Sequence, residues 1–128
     1  MLAIMKPAPR FVVAAASSPP EELSDDDWRK TNPRFTEGNF EKNLRIVDAV
    51  RVVASELDAT PAPVALAWLL AQGDDMAPIP GTKRVSRVEE NTAADGIELT
   101  AGQIQRLRDI APATGERHDE TNMSAIDR

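Results

Sequence analysis

Between Thr60 and Gly73 the chain carries twelve residues without a charge, Pro-Ala-Pro-Val-Ala-Leu-Ala-Trp-Leu-Leu-Ala-Gln. Thr60-Pro61 reads as a helix N-cap followed by proline at the first helical position, and Gly73 is placed to end the helix. Around a turn of 3.6 residues, Val64, Leu66, Trp68, Leu69 and Leu70 point in several directions. In water such a helix must be covered on more than one side, so whatever the chain folds into has to build layers around residues 61–72.

The neighbouring segments supply some of that cover. Apolar residues recur at Phe40, Leu44, Val47, Val50, Ala54 and Leu57 with spacings of three and four, while Lys42, Arg45, Asp48, Arg51 and Glu56 take the opposite face. This predicts an amphipathic helix with one buried stripe, closed by Asp58-Ala59-Thr60. Later, Thr100 and Gln103 have the spacing of a capping box, and Ile104, Leu107 and Ile110 give the helix behind it a buried stripe. Residues 76–80 are expected to be a short strand. The order is then helix, helix, strand, helix, helix, which leaves a sheet unmade, because a lone strand cannot satisfy its own backbone.

The segment Pro78-Ile79-Pro80-Gly81-Thr82-Lys83-Arg84-Val85-Ser86-Arg87-Val88-Glu89-Glu90-Asn91 carries the chemistry. It joins the expected strand, a glycine turn, three cations and a helix start with Ser86 and Glu89 at capping-box spacing, which predicts a helix over 86–95 ended by Gly96. A helix N-terminus beside Gly81, Lys83 and Arg87 is the arrangement that holds a phosphate: free amides and a positive dipole end, close backbone approach, a point charge and a fork of donors. The alternative is a solvated helix start whose cations only keep the surface soluble.

Elsewhere the sequence mainly excludes. A net charge of −6, with 21 acidic against 15 basic residues, argues against a general nucleic-acid binder. No run of about 18 apolar residues is present to span a membrane. With no Cys there is neither disulfide nor thiolate metal site, and a cytoplasmic location is the expectation. Residues 1–16, with Lys6 and Arg10 before Phe11-Val12-Val13-Ala14-Ala15-Ala16, have the outline of a weak signal peptide but are interrupted by Pro7 and Pro9; they are read as an irregular lead-in or short strand. The Ser-Pro-rich stretch and Asp25-Asp26-Asp27 read as a polar loop that Trp28 docks. A divalent ion on the three aspartates is the less favoured reading. From Pro112 on, a polar tail is expected to dock or to be disordered, with His118 on its surface.

Residues 78–91 resemble the last barrel strand, nucleotide-phosphate loop and final barrel helix of the aldo/keto reductase family. The resemblance extends over Asp25-Asp26-Asp27-Trp28-Arg29-Lys30-Thr31-Asn32-Pro33-Arg34-Phe35, Asn39-Phe40, Asn43-Leu44, and Thr60-Pro61-Ala62 through Leu66-Ala67-Trp68-Leu69-Leu70-Ala71-Gln72-Gly73. It covers roughly 18–118, the C-terminal third of bacterial members, flanked by an unmatched lead-in over 1–17 and a polar tail over 119–128. Where those enzymes carry a glycine-rich strand end, this chain has Arg10-Phe11. The resemblance implies an α/β fold, the C-terminal portion of a (β/α)8 TIM barrel, locally mostly helical and too short to close a barrel that typically takes about 250 residues. It also implies NADPH as cofactor. Gly81, Thr82 and Lys83 fall where the family meets the adenosine 2′-phosphate, Arg87 on the arginine set against that phosphate and adenine, and Glu90 and Asn91 on the pair that contacts the adenine edge.

The family's chemistry does not carry over. Its proton donor is a tyrosine tuned by a lysine and an aspartate, with a histidine orienting the carbonyl, and this sequence has no Tyr and a single His. No catalytic or metal-ligating residue is therefore assigned. Three readings stand at this point: a C-terminal portion of an NADPH-dependent aldehyde or ketone reductase that is inactive alone; an NADP-binding module completed by a partner chain that supplies the missing barrel strands; and an unrelated small helical protein.

Overall fold

A computed structural model describes residues 20–36 and 38–116. Four α-helices dominate: α1 (Asn39–Glu56), α2 (Pro61–Leu70), α3 (Val85–Thr92) and α4 (Ala101–Arg108), with short 3-10 turns at Pro20–Glu22, Trp28–Lys30 and Ala93–Gly96. The lead-in over 1–16 and His118 lie outside the described residues, as does the Trp28 side chain.

The stripe expected on α1 is the one that is buried. Phe40, Val47, Val50 and Ala54 are all buried, joined by Ile46 and Val53, while Lys42, Arg45, Asp48, Arg51 and Glu56 face water. Val50, Val53 and Ala54 meet Val64 and Ala65 of α2 and Leu107 of α4 in the main core. Leu57, Trp68, Ile97, Leu99 and Ile110 close around it. α2 is covered as its composition demands, by α1 on one side and by α3 and the Ala93–Gly96 turn on another. The cover ends at Leu70, which is 36% exposed. Asp58 turns the chain out of α1 with φ of 50°, a left-handed conformation that Asp tolerates better than most residues.

Two expectations are corrected. Residues 76–80 form no regular element, and the described residues contain no strand. Pro78 and Pro80 have no N–H to donate, and no neighbouring strand lies among the described residues. The Ser86/Glu89 capping box does not form. The Thr82 Oγ1 accepts the Arg84 amide at 3.1 Å, which closes the preceding turn early, so α3 starts at Val85 with Arg84 as an N-cap that makes no side-chain bond. By contrast the Thr100/Gln103 box at the start of α4 is complete, with the Gln103 amide donating to Thr100 Oγ1 at 3.2 Å and the Thr100 amide to Gln103 Oε1 at 2.9 Å.

Residues 111–116 dock back onto the start of α1 through buried polar groups. Asn43 donates to the carbonyls of Arg34 (3.0 Å) and Thr114 (2.9 Å) and accepts the Thr114 amide at 2.7 Å. Arg34 Nε donates to the Gly115 carbonyl at 3.3 Å. Gly115 has φ of 94°, and a Cβ built on it would lie 2.5 Å from the Pro33 carbonyl oxygen and 3.0 Å from the Arg34 nitrogen. Those are backbone atoms that cannot swing aside. Gly115→Ala is therefore expected to destabilise the protein by on the order of 2–4 kcal/mol, from backbone strain and the buried Asn43 groups it strands. Thermal unfolding and faster hydrogen exchange at the Thr114 amide would show it; an unchanged Thr114 amide would contradict it.

Charge pairs tie α1 to α4. Arg106 donates twice to Glu56, at 2.7 and 2.5 Å, and Gln103 Nε2 donates to the same carboxylate at 3.0 Å. These bonds, Arg106 first, hold the Glu56 carboxyl at about 2 against an ordinary 4.5. Arg29 does the same for Asp27, to about 2 from 3.8. Both values are depressed in the folded state, so the unfolded chain binds more protons between the two limits and stability rises with rising pH there. The contribution is complete above about pH 4.5 and is lost as pH falls towards 2. Melting temperature should drop across that window, and Glu56→Gln should flatten part of the drop; an unchanged pH profile in the variant would refute the assignment.

Candidate nucleotide-phosphate site

The start of α3 brings three cations together in sequence. Lys83, Arg84 and Arg87 are all exposed, and neither Lys83 nor Arg84 has a side-chain partner among the described residues. The Arg87 and Val88 amides turn to the Arg84 carbonyl at 3.0 and 3.2 Å, and the first amides of the helix, as at every helix start, lack intrahelical acceptors. Gly81 has an ordinary backbone conformation and nothing within 4 Å of where a Cβ would stand. The fold itself does not require glycine there, whereas a ligand lying close against the backbone would use that space.

Arg87 and Glu90, one turn apart, form an ion pair, with Arg87 Nη1 donating to Glu90 Oε2 at 2.5 Å. The other carboxylate oxygen accepts the Thr60 hydroxyl at 2.5 Å. Thr60 and then Arg87 hold the Glu90 carboxyl below the ordinary carboxylate value. Nη2 and Nε of Arg87 remain as donors for an anion. Each Glu90 oxygen keeps a lone pair for a further donor.

Behind this rim runs an open groove of about 490 Å³, lined mostly by apolar side chains that include Leu66, Leu70, Met76 and Val88. Thr82 and Asn91 line it too, and the Asn91 side-chain amide has no partner among the described residues. The six residues singled out in the sequence thus divide. Thr82 and Asn91 share the groove, Arg87 and Glu90 are joined to each other, and Gly81 and Lys83 lie on the exposed turn. Sequence reasoning missed Thr60, thirty residues before Glu90, which was read only as a helix cap. No group of three or more His, Cys, Asp or Glu able to hold a metal occurs among the described residues. Asp25 and Asp27 are taken up by Lys30 (2.8 Å) and Arg29 (2.7 Å). No helix of the described chain is long and apolar enough to cross a membrane.

The model of the aldo/keto reductase family matches residues 9–112, a span that includes the whole groove and the start of α3. The chain is 39% identical over 115 residues to the NADP(+) aldo-keto reductase yakc of Schizosaccharomyces pombe, covering 88% of this chain and 34% of that protein. It is 34% identical over 124 residues to aldo-keto reductase str7 of Strobilurus tenacellus, covering 94% of this chain and 37% of that protein. An aldo-keto reductase of Gibberella moniliformis is 37% identical over 110 residues, 84% of this chain and 33% of its own length. The chain thus spans about a third of the length of the curated relatives it matches. No solved structure matches it. With the family model covering most of its length and relatives well above 30% identity, the chain belongs to the aldo/keto reductase family.

Proposed function

We propose that this chain is the nucleotide-phosphate-binding C-terminal part of an NADPH-dependent reductase of aldehydes or ketones, built for a (β/α)8 barrel, and that it does not turn over substrate by itself. The observation that carries the reading is the juxtaposition at the start of α3: exposed Lys83, Arg84 and Arg87 beside a groove into which Asn91 offers an unpartnered amide. Lys83 and the remaining Arg87 donors suit the 2′-phosphate, with Gly81 and Thr82 against it, while Glu90 and Asn91 offer an acceptor and an amide to an adenine edge. Bound NADPH would supply the hydride that such a reductase delivers to a carbonyl carbon. The lack of any Tyr in this sequence supports reading these residues as the part that holds cofactor, without the family's proton donor.

Titration of the purified chain with NADPH, followed by tryptophan fluorescence and by thermal shift with NADH as control, tests this. Saturable binding that prefers NADPH is expected. Absence of binding, or equal binding of the two, would overturn it.

A partner chain that supplies the missing barrel strands is favoured by residues 76–80. Ile79 is 89% exposed, with Val85 and Val88 exposed nearby at 76% and 52%. Exposed apolar side chains along one stretch of chain suit a surface that further barrel strands would cover. Because Pro78 and Pro80 lack donors, only the edge presenting Ala77 and Ile79 can form a full ladder with a neighbouring strand.

A further inference from the structure

Thr60 opens α2, yet its side chain does not cap that helix. The sequence accounts for this in part. An N-cap hydroxyl ordinarily accepts the amide of the second or third helical residue; Pro63 in the third place has no amide, which leaves Ala62 alone as a donor. The hydroxyl instead donates to Glu90 Oε1 at 2.5 Å, and the second oxygen of that carboxylate holds Arg87 at 2.5 Å. A chain of hydroxyl, carboxylate and guanidinium therefore joins the start of α2 to the cationic end of α3.

We infer that Thr60 is a positioning residue for the nucleotide site, fixing Glu90 so that Arg87 presents its free donors to an anionic phosphate. The inference rests on the NADPH-binding reading above. Without Thr60, the carboxylate is held by Arg87 alone, in a pair three residues apart on an exposed helix face, where Arg87 keeps about half of its side-chain surface in water. Such pairs are weak, and each partner samples other rotamers. The Thr60 bond converts a loose pair into one anchored to a second helix, which lowers the ordering cost that phosphate binding would otherwise carry. It is also the foremost cause that lowers the Glu90 carboxyl below its ordinary value.

The test compares Thr60→Val, which keeps the shape and removes the donor, with Thr60→Ser, which keeps the donor. The full chain is titrated with NADPH and with NADH, and each variant is melted. Loss of one charge-assisted bond that acts through Arg87 is expected to weaken NADPH binding by roughly three- to tenfold. NADH has no 2′-phosphate but shares the adenine edge offered to Glu90, so it should weaken by less than NADPH. Thr60→Ser should restore the wild-type preference. A purely structural role would lower the melting temperature and weaken both nucleotides alike, and that result overturns the inference, as does a Thr60→Val protein with the wild-type preference. If Thr60→Val fails to fold, Thr60→Gly removes the hydroxyl while keeping an acceptable N-cap, and the same ratio is read from it. Wild-type protein that does not distinguish the two nucleotides overturns the underlying reading itself.

Discussion

Val64→Asp is expected to abolish the cooperative unfolding transition, leaving a chain with little fixed tertiary structure at neutral pH. Val64 is 0% exposed and sits where α2 meets Val50 and Val53 of α1, also at 0% and 1%. Val64 is packed among the apolar side chains of Val50, Val53, Ala54, Ala65 and Leu107, so a carboxylate placed there would be desolvated or would have to take up a proton. The effective penalty of an unpaired buried ion is several kcal/mol, against about 5–15 kcal/mol for the whole stability of an ordinary domain. Leu70, Val85 and Val88 also stand partly in water, so their apolar surface adds little to offset that penalty. Two controls separate charge burial from other causes. Val64→Ala removes side-chain volume without introducing charge and should cost about 2 kcal/mol, from lost transfer free energy and the cavity left behind. Val52→Asp places the same charge at a site 56% exposed on α1 and should move stability by less than about 0.5 kcal/mol. Circular dichroism melts of the three proteins would decide it: a Val64→Asp protein that melts like Val52→Asp would mean that α1 and α2 do not form this core.

The contrast between Val64 and Val52 is the kind of information a single sequence carries well. The stripe from Phe40 to Ala54 follows from helical spacing, and the need for α2 to be covered on two sides follows from its lack of any polar face. The Thr100/Gln103 box was legible for the same reason, since both partners lie within one turn. What escaped are the bonds that depend on which distant segments meet. Asn43 reaches Thr114, 71 positions away, and Arg34 reaches Gly115, 81 away; neither pattern has a period or a local composition to announce it. Residues 76–80 had the composition of a strand, but strand pairing is a property of neighbours, and two prolines cannot supply one. In the candidate site, residue type suggested the phosphate-binding chemistry of Lys83 and Arg87, while the tie from Glu90 to Thr60 depended on α2 and α3 packing side by side.

Arg87→Glu should remove the distinction between NADPH and NADH. A guanidinium facing a phosphate contributes charge-assisted bonds worth about 1.5–3 kcal/mol each in net terms. Its replacement by a carboxylate loses them and adds repulsion, so NADPH affinity should fall by on the order of 100-fold while NADH affinity changes by no more than a few-fold. The substitution also places a carboxylate one turn from Glu90, whose Oε2 loses its present partner. Like charges at that spacing destabilise a helix by only a few tenths of a kcal/mol, so the protein should remain folded and the melt should show it. Arg51→Glu is the matched control. It reverses an exposed charge on α1 that pairs only with Asp48, three residues away, and shifts the net charge by the same two units. A long-range field effect would weaken NADPH binding in both variants, most at low ionic strength, whereas a contact at the start of α3 would weaken it in one. If Arg87→Glu retained the wild-type preference, the cationic turn would be a solvated helix start and the phosphate site would have to be sought elsewhere on the chain.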